Sequence, residues 1–314
     1  MTQQASGAKR SYAVWTIAGA ITLIALVVGL SHQNGAGPAA TPPQEGLQTP
    51  AQAPRIDVVF TIDATGSMGD EIDMVKKEIW AIANKLMEGK PRPDIRFGLV
   101  FYQDRGDTFL VKKAELTRNV DAIHDELMAI QAGGGGDWRE HVGRGLHEAV
   151  NLEWDMSADT ARLIYLVGDA PGHDDYQDGY DVESALRIAS ERQIKINTIG
   201  CSGLDTGRAE FEAIAARTNG AFTQMTYQAV VAGDDGVKRS VIYYDGDMYE
   251  AEGVMDKAEW GRGGGALLQE GKLKPASPSV RSRAEAPGAA TDNNLDDLLE
   301  EDIKGAAKEK GVAY

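Results

Sequence analysis

From residue 55 onward the apolar positions of this chain follow two periods that alternate. Residues 56–62, 95–102, 162–168 and 194–201 are short runs dominated by aliphatic and aromatic side chains, the pattern of strands covered on both faces of a parallel sheet. Between them the apolar residues recur at three- and four-residue spacing: Ile72, Val75, Ile79, Ile82 and Leu86, then Val120, Ile123, Leu127 and Ile130, then Val142, Leu146, Ala149 and Val150. That spacing predicts amphipathic helices, each resting one face on a sheet. Further helices are expected over 181–193 and 208–218, and strands over 108–116 and 221–226. Lys112 and Lys113 suit the first of these two strands to an exposed edge that must not pair with neighbours. Strand and helix alternate, so the expected fold is α/β: a doubly wound, mostly parallel sheet with helices on both faces.

The flanks read differently. Residues 13–30 carry no charge, are rich in Ile, Leu, Val and Ala, and follow Lys9 and Arg10. The run is long enough to span a bilayer, and positive charges ahead of it predict a cytoplasmic N-terminus with the rest translocated. The expectation is a cytoplasmic segment over 1–12 and an uncleaved signal anchor, a transmembrane helix, over 13–30. The domain is then extracytoplasmic, periplasmic in a bacterium. The alternative is a cleaved signal peptide and a secreted protein, against which stand the length of the run and the lack of a small-x-small site directly after it. Residues 31–54, dominated by Gly, Ala, Pro, Gln and Thr, read as a flexible tether. Residues 231–314 are expected to be a partly disordered extension with a strand over 241–244 and linker over 261–265 and 275–290. Leu295, Leu298, Leu299 and Ile303 predict a short helix over 294–303, either a docking helix or an exposed tail.

Composition narrows the function classes. With 42% hydrophobic and 25% charged residues in 314, the chain can bury the core of one domain plus tails. A formal net charge of −16 argues against nucleic-acid binding, which rests on clustered Lys and Arg, and favours cations or basic partners. The single cysteine, Cys201, excludes an internal disulfide, reads as a small core residue, and leaves no cysteine directly after the apolar run to carry a lipid.

Chemistry gathers where strands stop. After the first strand come Asp63, Thr65 and Ser67 at alternate positions, with Gly66 permitting a tight turn. Hard oxygen donors of this kind suit Mg²⁺; the bland alternative is a Ser/Thr/Gly turn that caps a helix. Gly133 to Gly136 lead into Asp137 and Glu140, and four glycines imply a sharp bend or a close approach. A phosphate cradle is disfavoured there by the missing Gly-Lys-Ser/Thr ending and by the acids. Asp169 follows the strand over 162–168, and ligands of open α/β sheets collect at the carboxyl ends of strands, so Asp63 and Asp169 would meet if their strands are neighbours. Asp70 and Glu71 fall in a first helical turn, where the helix dipole explains them. His141 and His147 fall on different helix faces and His173 lies in a turn, so all three are expected at the surface.

Asp63, Thr65, Gly66 and Ser67 after a hydrophobic strand, then GGGGDWRE over 133–140, then DAPGH over 169–173, in that order, resemble the metal-ion-dependent adhesion site of von Willebrand factor A domains. The resemblance covers residues 55–230. It implies Mg²⁺, or Mn²⁺ or Ca²⁺, held by Asp63, Thr65, Ser67, Asp169 and a ligand from the glycine loop. The family usually takes a threonine there, and proline is usual where Arg139 stands, so Asp137 and Glu140 remain alternatives. The resemblance further implies a binding module rather than an enzyme, with a protein partner's acidic side chain completing the metal's coordination. Two other classes are kept. A metal-dependent hydrolase would want a second Asp where Thr65 stands, and no Gly-x-Ser-x-Gly or His-Glu-x-x-His motif is present. The third is a scaffold whose metal is purely structural.

Overall fold

The computed structural model describes residues 55–90, 92–201, 204, 206–244, 247–286 and 291–311. The expected anchor and tether lie outside the described residues, among which no helix is long and apolar enough to cross a membrane.

A six-stranded sheet carries the domain. Its strands are β1 (Arg55–Asp63), β2 (Asp94–Tyr102), β3 (Val111–Thr117), β4 (Thr160–Gly168), β5 (Lys195–Gly200) and β6 (Phe222–Gln224), in the order β3-β2-β1-β4-β5-β6. Only β3 runs antiparallel, at the edge that its two lysines predicted. β1 therefore lies in the middle, paired with β2 on one side and β4 on the other, and every residue of β4 is buried. That double burial is why these strands read as unbroken apolar runs.

Alternate residues of β1 feed two cores. Ile56, Val58, Phe60 and Ile62 pack with α1 (Ile72–Met87) and α2 (Val120–Ala129); Val59 packs with α3 (Val142–Val150), α4 (Val182–Glu191) and α5 (Arg208–Arg217) on the other face. The apolar positions anticipated in α1 are buried, together with Ala83 and with Lys76, whose ammonium donates to the Ile130 carbonyl at 2.5 Å. Asn119 and Asp181 cap α2 and α4 by accepting from Ala122 N–H and Ser184 N–H. Helices on both faces of a mostly parallel sheet are the α/β architecture the alternation predicted.

Beyond β6 the chain is more ordered than its composition implied. β7 (Tyr227–Ala232), β8 (Lys238–Tyr244), β9 (Asp247–Glu250), β10 (Lys274–Pro275) and β11 (Thr291–Asn293) form an antiparallel sheet in the order β10-β9-β8-β7-β11. Two stretches read as linker instead hold α7 (Gly264–Gln269) and α8 (Pro278–Ala284), after the single turn α6 (Lys257–Trp260). The glycines misled for a physical reason: a Cβ at Gly264 or Gly265 would sit 2.4 or 2.7 Å from the Tyr244 side chain, so they serve close packing. The last helix, α9 (Leu295–Glu309), extends past the expected 303 and returns to the first sheet. Its Leu295, Leu299, Ile303 and Ala307 join the core beside α1, and Asp302 accepts from the Tyr165 hydroxyl at 2.5 Å, Asn197 Nδ2 at 2.6 Å and Lys195 Nζ at 2.9 Å.

Candidate functional site

Because β1 and β4 are neighbours in parallel register, Asp63 and Asp169 emerge side by side at the carboxyl edge of the sheet. The loop after β1 then folds back on itself. Asp63 Oδ1 accepts from the Thr65 N–H at 2.9 Å and from the Thr65 hydroxyl at 2.6 Å, an Asx-type turn that precedes a 3₁₀ turn over Gly66–Asp70. Thr65 Oγ1 lies 3.2 Å from Ser67 Oγ, and Ser67 donates to Asp169 Oδ1 at 3.1 Å. Two hydroxyls thus bridge two carboxylates that are 106 positions apart in the chain, by subtraction of 63 from 169.

The glycine stretch lies over this turn. Gly134 and Gly135 take φ of 82° and 85°, in the left-handed region that glycine tolerates, and a Cβ at Gly66 would stand 2.6 Å from the Gly134 carbonyl oxygen. Gln103 pins both layers by donating to the Ala64 carbonyl at 2.7 Å and the Gly133 carbonyl at 2.6 Å, while Asp107 accepts from Gly135 N–H at 3.0 Å. The chain then pairs with the loop after β4: Glu140 N–H donates to the Pro171 carbonyl at 3.0 Å and His173 N–H to the Glu140 carbonyl at 3.0 Å. This pairing carries the Glu140 carboxylate to the Asp63–Thr65 turn, where it is 2% exposed, and sends Asp137 elsewhere.

Electrostatics in this cluster are those of acids short of positive charge. Burial, and then Asp169, push Asp63 up to about 7; burial, and then Asp63, Asp104 and Asp107, push Glu140 up to about 9; burial also raises Asp169. Tyr102, whose ring packs beneath α3, is raised well above its ordinary value by burial and by the same acids. Asp63 Oδ2 and Glu140 Oε2 are buried with no hydrogen-bond partner. Leftover carboxylate oxygens beside two hydroxyls make a hard donor set of the kind that Mg²⁺, Mn²⁺ or Ca²⁺ prefers, so Asp63, Thr65, Ser67, Glu140 and Asp169 fit such an ion. An ion held there supplies a Lewis-acid position to an incoming oxygen ligand.

Asp137, the other acid considered from the glycine loop, belongs to a neighbouring group. Its Oδ1 lies 3.5 Å from His173 Nε2, and Asp104 Oδ2 lies 3.6 Å from the same nitrogen. The ligand atoms of these three residues all fall within 4.8 Å of one another. Asp104 escaped attention in the sequence, although its signal was present: it lies just past the end of β2, as Asp63 ends β1 and Asp169 follows β4. The histidines differ from expectation. His141 is 2% exposed, is lowered by burial, and meets Asp178 at 2.8 Å, and the His173 side chain is only 6% exposed. Tyr176 explains both: its ring meets the His141 ring edge-on at 4.9 Å and stacks on that of His173 at 3.9 Å, and turn propensity does not reveal such a lid.

The chain is similar to known proteins over part of its length. The α-protein kinase vwkA of Dictyostelium discoideum is 29% identical over 124 residues, which are 38% of this chain and 19% of that one, so the chain spans only a small part of that relative. Among solved structures, proximal thread matrix protein 1 from the mussel byssus covers 55% of this chain and 42% of its own, at 20% identity and a TM-score of 0.43. The pilus adhesin SpaC from Lactobacillus rhamnosus GG, in an open conformation, covers 62% of this chain and 36% of its own, at 10% identity and a TM-score of 0.42. Residues 57–236, more than half of the chain, match the von Willebrand factor A domain, and they contain every strand of the first sheet after its opening residues and every loop of the site. Domains of that kind serve in general as protein-interaction modules and often bind a divalent metal. On the span of that match, this chain belongs to the von Willebrand factor A domain family.

Proposed function

We propose that this protein is a membrane-anchored, extracytoplasmic binding module, not an enzyme, that engages an acidic side chain of a protein partner through a divalent cation. Mg²⁺ is the ion that five hard oxygen donors favour, with Mn²⁺ and Ca²⁺ as substitutes. Asp63, Thr65, Ser67, Glu140 and Asp169 hold it, directly or through water. One observation carries the reading: two buried carboxylate oxygens, Asp63 Oδ2 and Glu140 Oε2, stand without partners beside a pair of hydroxyls, in acids whose ionisation a cation would favour. Five protein donors leave one position of a six-coordinate ion open, and a carboxylate from outside would fill it. The anchor rests on the apolar run over 13–30 behind Lys9 and Arg10.

The test is calorimetric titration of the purified protein with Mg²⁺ and Mn²⁺ beside Asp63→Ala. Loss of Mg²⁺ binding in the variant, with circular dichroism unchanged, supports the site and justifies a partner search with and without chelator. An Asp63→Ala protein that keeps the parent's Mg²⁺ affinity would overturn it.

A further inference from the structure

We propose that Asp104, Asp137 and His173 form a second metal site, distinct from the Asp63 cluster, that takes a borderline ion such as Zn²⁺. Each residue comes from a different loop at the carboxyl edge of the sheet: Asp104 follows β2, Asp137 ends the glycine stretch and His173 follows β4. The proposal does not rest on the Mg²⁺ reading of the first site.

Three features carry it. First, His173 Nε2 stands 3.6 Å from Asp104 Oδ2 and 3.5 Å from Asp137 Oδ1, too far for good hydrogen bonds. Ligands bound at about 2.0–2.1 Å around a tetrahedral ion are about 3.3–3.5 Å apart, so both acids stand within a few tenths of an ångström of the distance from Nε2 that ligands sharing an ion keep. Second, His173 is built as a ligand. Its side chain is 94% buried, from the 6% exposed, and Nε2 is buried without a hydrogen-bond partner. Its Nδ1 meets Asp175 Oδ1 at 2.7 Å. A carboxylate can only accept, so Nδ1 carries the proton and Nε2 presents its lone pair to the two acids, the orientation that an outer carboxylate imposes on metal-binding imidazoles. Third, Tyr176 locks two of the ligands together. Its ring stacks on His173 at 3.9 Å and 8°, its hydroxyl donates to Asp104 Oδ2 at 2.8 Å, and the Arg105 guanidinium lies 3.8 Å over its ring.

The chemistry selects the ion. An imidazole nitrogen with two carboxylates suits Zn²⁺, Mn²⁺ or Co²⁺ and disfavours Mg²⁺, which prefers oxygen throughout. Asp137 is 65% exposed on its side chain, so the site opens to solvent on that flank and has room for water or an outside ligand. The competing arrangement is a doubly protonated His173 imidazolium paired with Asp104, Asp137 and Asp175.

The experiment uses the full chain, stripped with chelator and titrated with Zn²⁺ and with Co²⁺ in saturating Mg²⁺. Expected for the parent is one Zn²⁺ per chain that Mg²⁺ does not displace, and visible absorption from low-symmetry Co²⁺. His173→Ala should weaken Zn²⁺ at least 10-fold, and Asp137→Asn, an exposed change that spares the fold, should do so as well. Asp63→Ala should leave Zn²⁺ affinity within about twofold, so the two sites fail or succeed separately. Zn²⁺ affinity unchanged in both His173→Ala and Asp137→Asn overturns the proposal. A nitrogen-15 spectrum showing both His173 ring nitrogens protonated with Zn²⁺ present also overturns it, in favour of the ion pair.

Discussion

Asp302 is where the last helix is fastened, and replacing it by alanine measures how much of the domain depends on that return. Its carboxylate accepts from Tyr165, Asn197 and Lys195, all on the first sheet. Tyr165 is 2% exposed and Asn197 4%, so Asp302→Ala strands two donors that water reaches poorly. Burial, and then Asp302, hold the Tyr165 hydroxyl well above its ordinary value, so it stays a donor at any working pH. An orphaned buried donor costs about 1–3 kcal/mol, while the partly exposed Lys195 pair adds little. The flank of Asp302 is 28% exposed and lets some water follow, so the sum is set at about 3 kcal/mol. For a domain of this size that lowers the melting temperature by about 6–12 °C. Asp302→Asn keeps an acceptor oxygen for Tyr165 and should lose less than half as much. The assay is differential scanning calorimetry, with limited proteolysis of α9 as a second readout, since undocking would expose Leu295, Leu299 and Ile303. Melting of Asp302→Ala within about 2 °C of the parent, with α9 still protected, would refute the claim that this carboxylate anchors the helix.

Two further outcomes follow from the same contacts, beside the Mg²⁺ and Zn²⁺ titrations described above. Gly66→Ala puts a methyl 2.6 Å from the Gly134 carbonyl oxygen, and backbone cannot swing aside as a side chain can. The two loops should separate, costing about 1–3 kcal/mol and weakening Mg²⁺ about 10-fold; a titration that matches the parent would show that the overlay of the loops is irrelevant to the site. At Asp94 the Arg118 guanidinium, bonded at 2.5 and 2.7 Å, holds the carboxyl below its ordinary 3.8. A depressed value means that the folded state takes the proton less readily than the unfolded, so the contribution is present above pH 3.8 and is lost as pH falls through the folded value. Urea midpoints of Asp94→Asn and the parent should therefore differ near neutrality and converge once the pH lies below the folded value. A gap that persists at that pH would assign the effect to packing.

As far as β6, local pattern alone was enough to establish the strands, the helices and their alternation. Each buried strand is a run of apolar residues and each helix a three- and four-residue repeat, and both periods are properties of consecutive residues. The same reading placed Asp63 and Asp169 at the sheet's edge, because a carboxylate at the end of a buried strand stands there whatever the topology. What tertiary structure decided was adjacency. Only the pairing of β1 with β4 brings Ser67 to Asp169, and only the bridge between Glu140 and Gly172 turns Glu140 toward Asp63 and leaves Asp137 facing His173. His173 became a buried group because Tyr176, three residues on, folds over it, and Gly264 and Gly265 proved to be packing surfaces for a tyrosine rather than hinges. Such contacts depend on which distant segments meet, and the free energy of that choice is spread over a whole core rather than written in any one stretch.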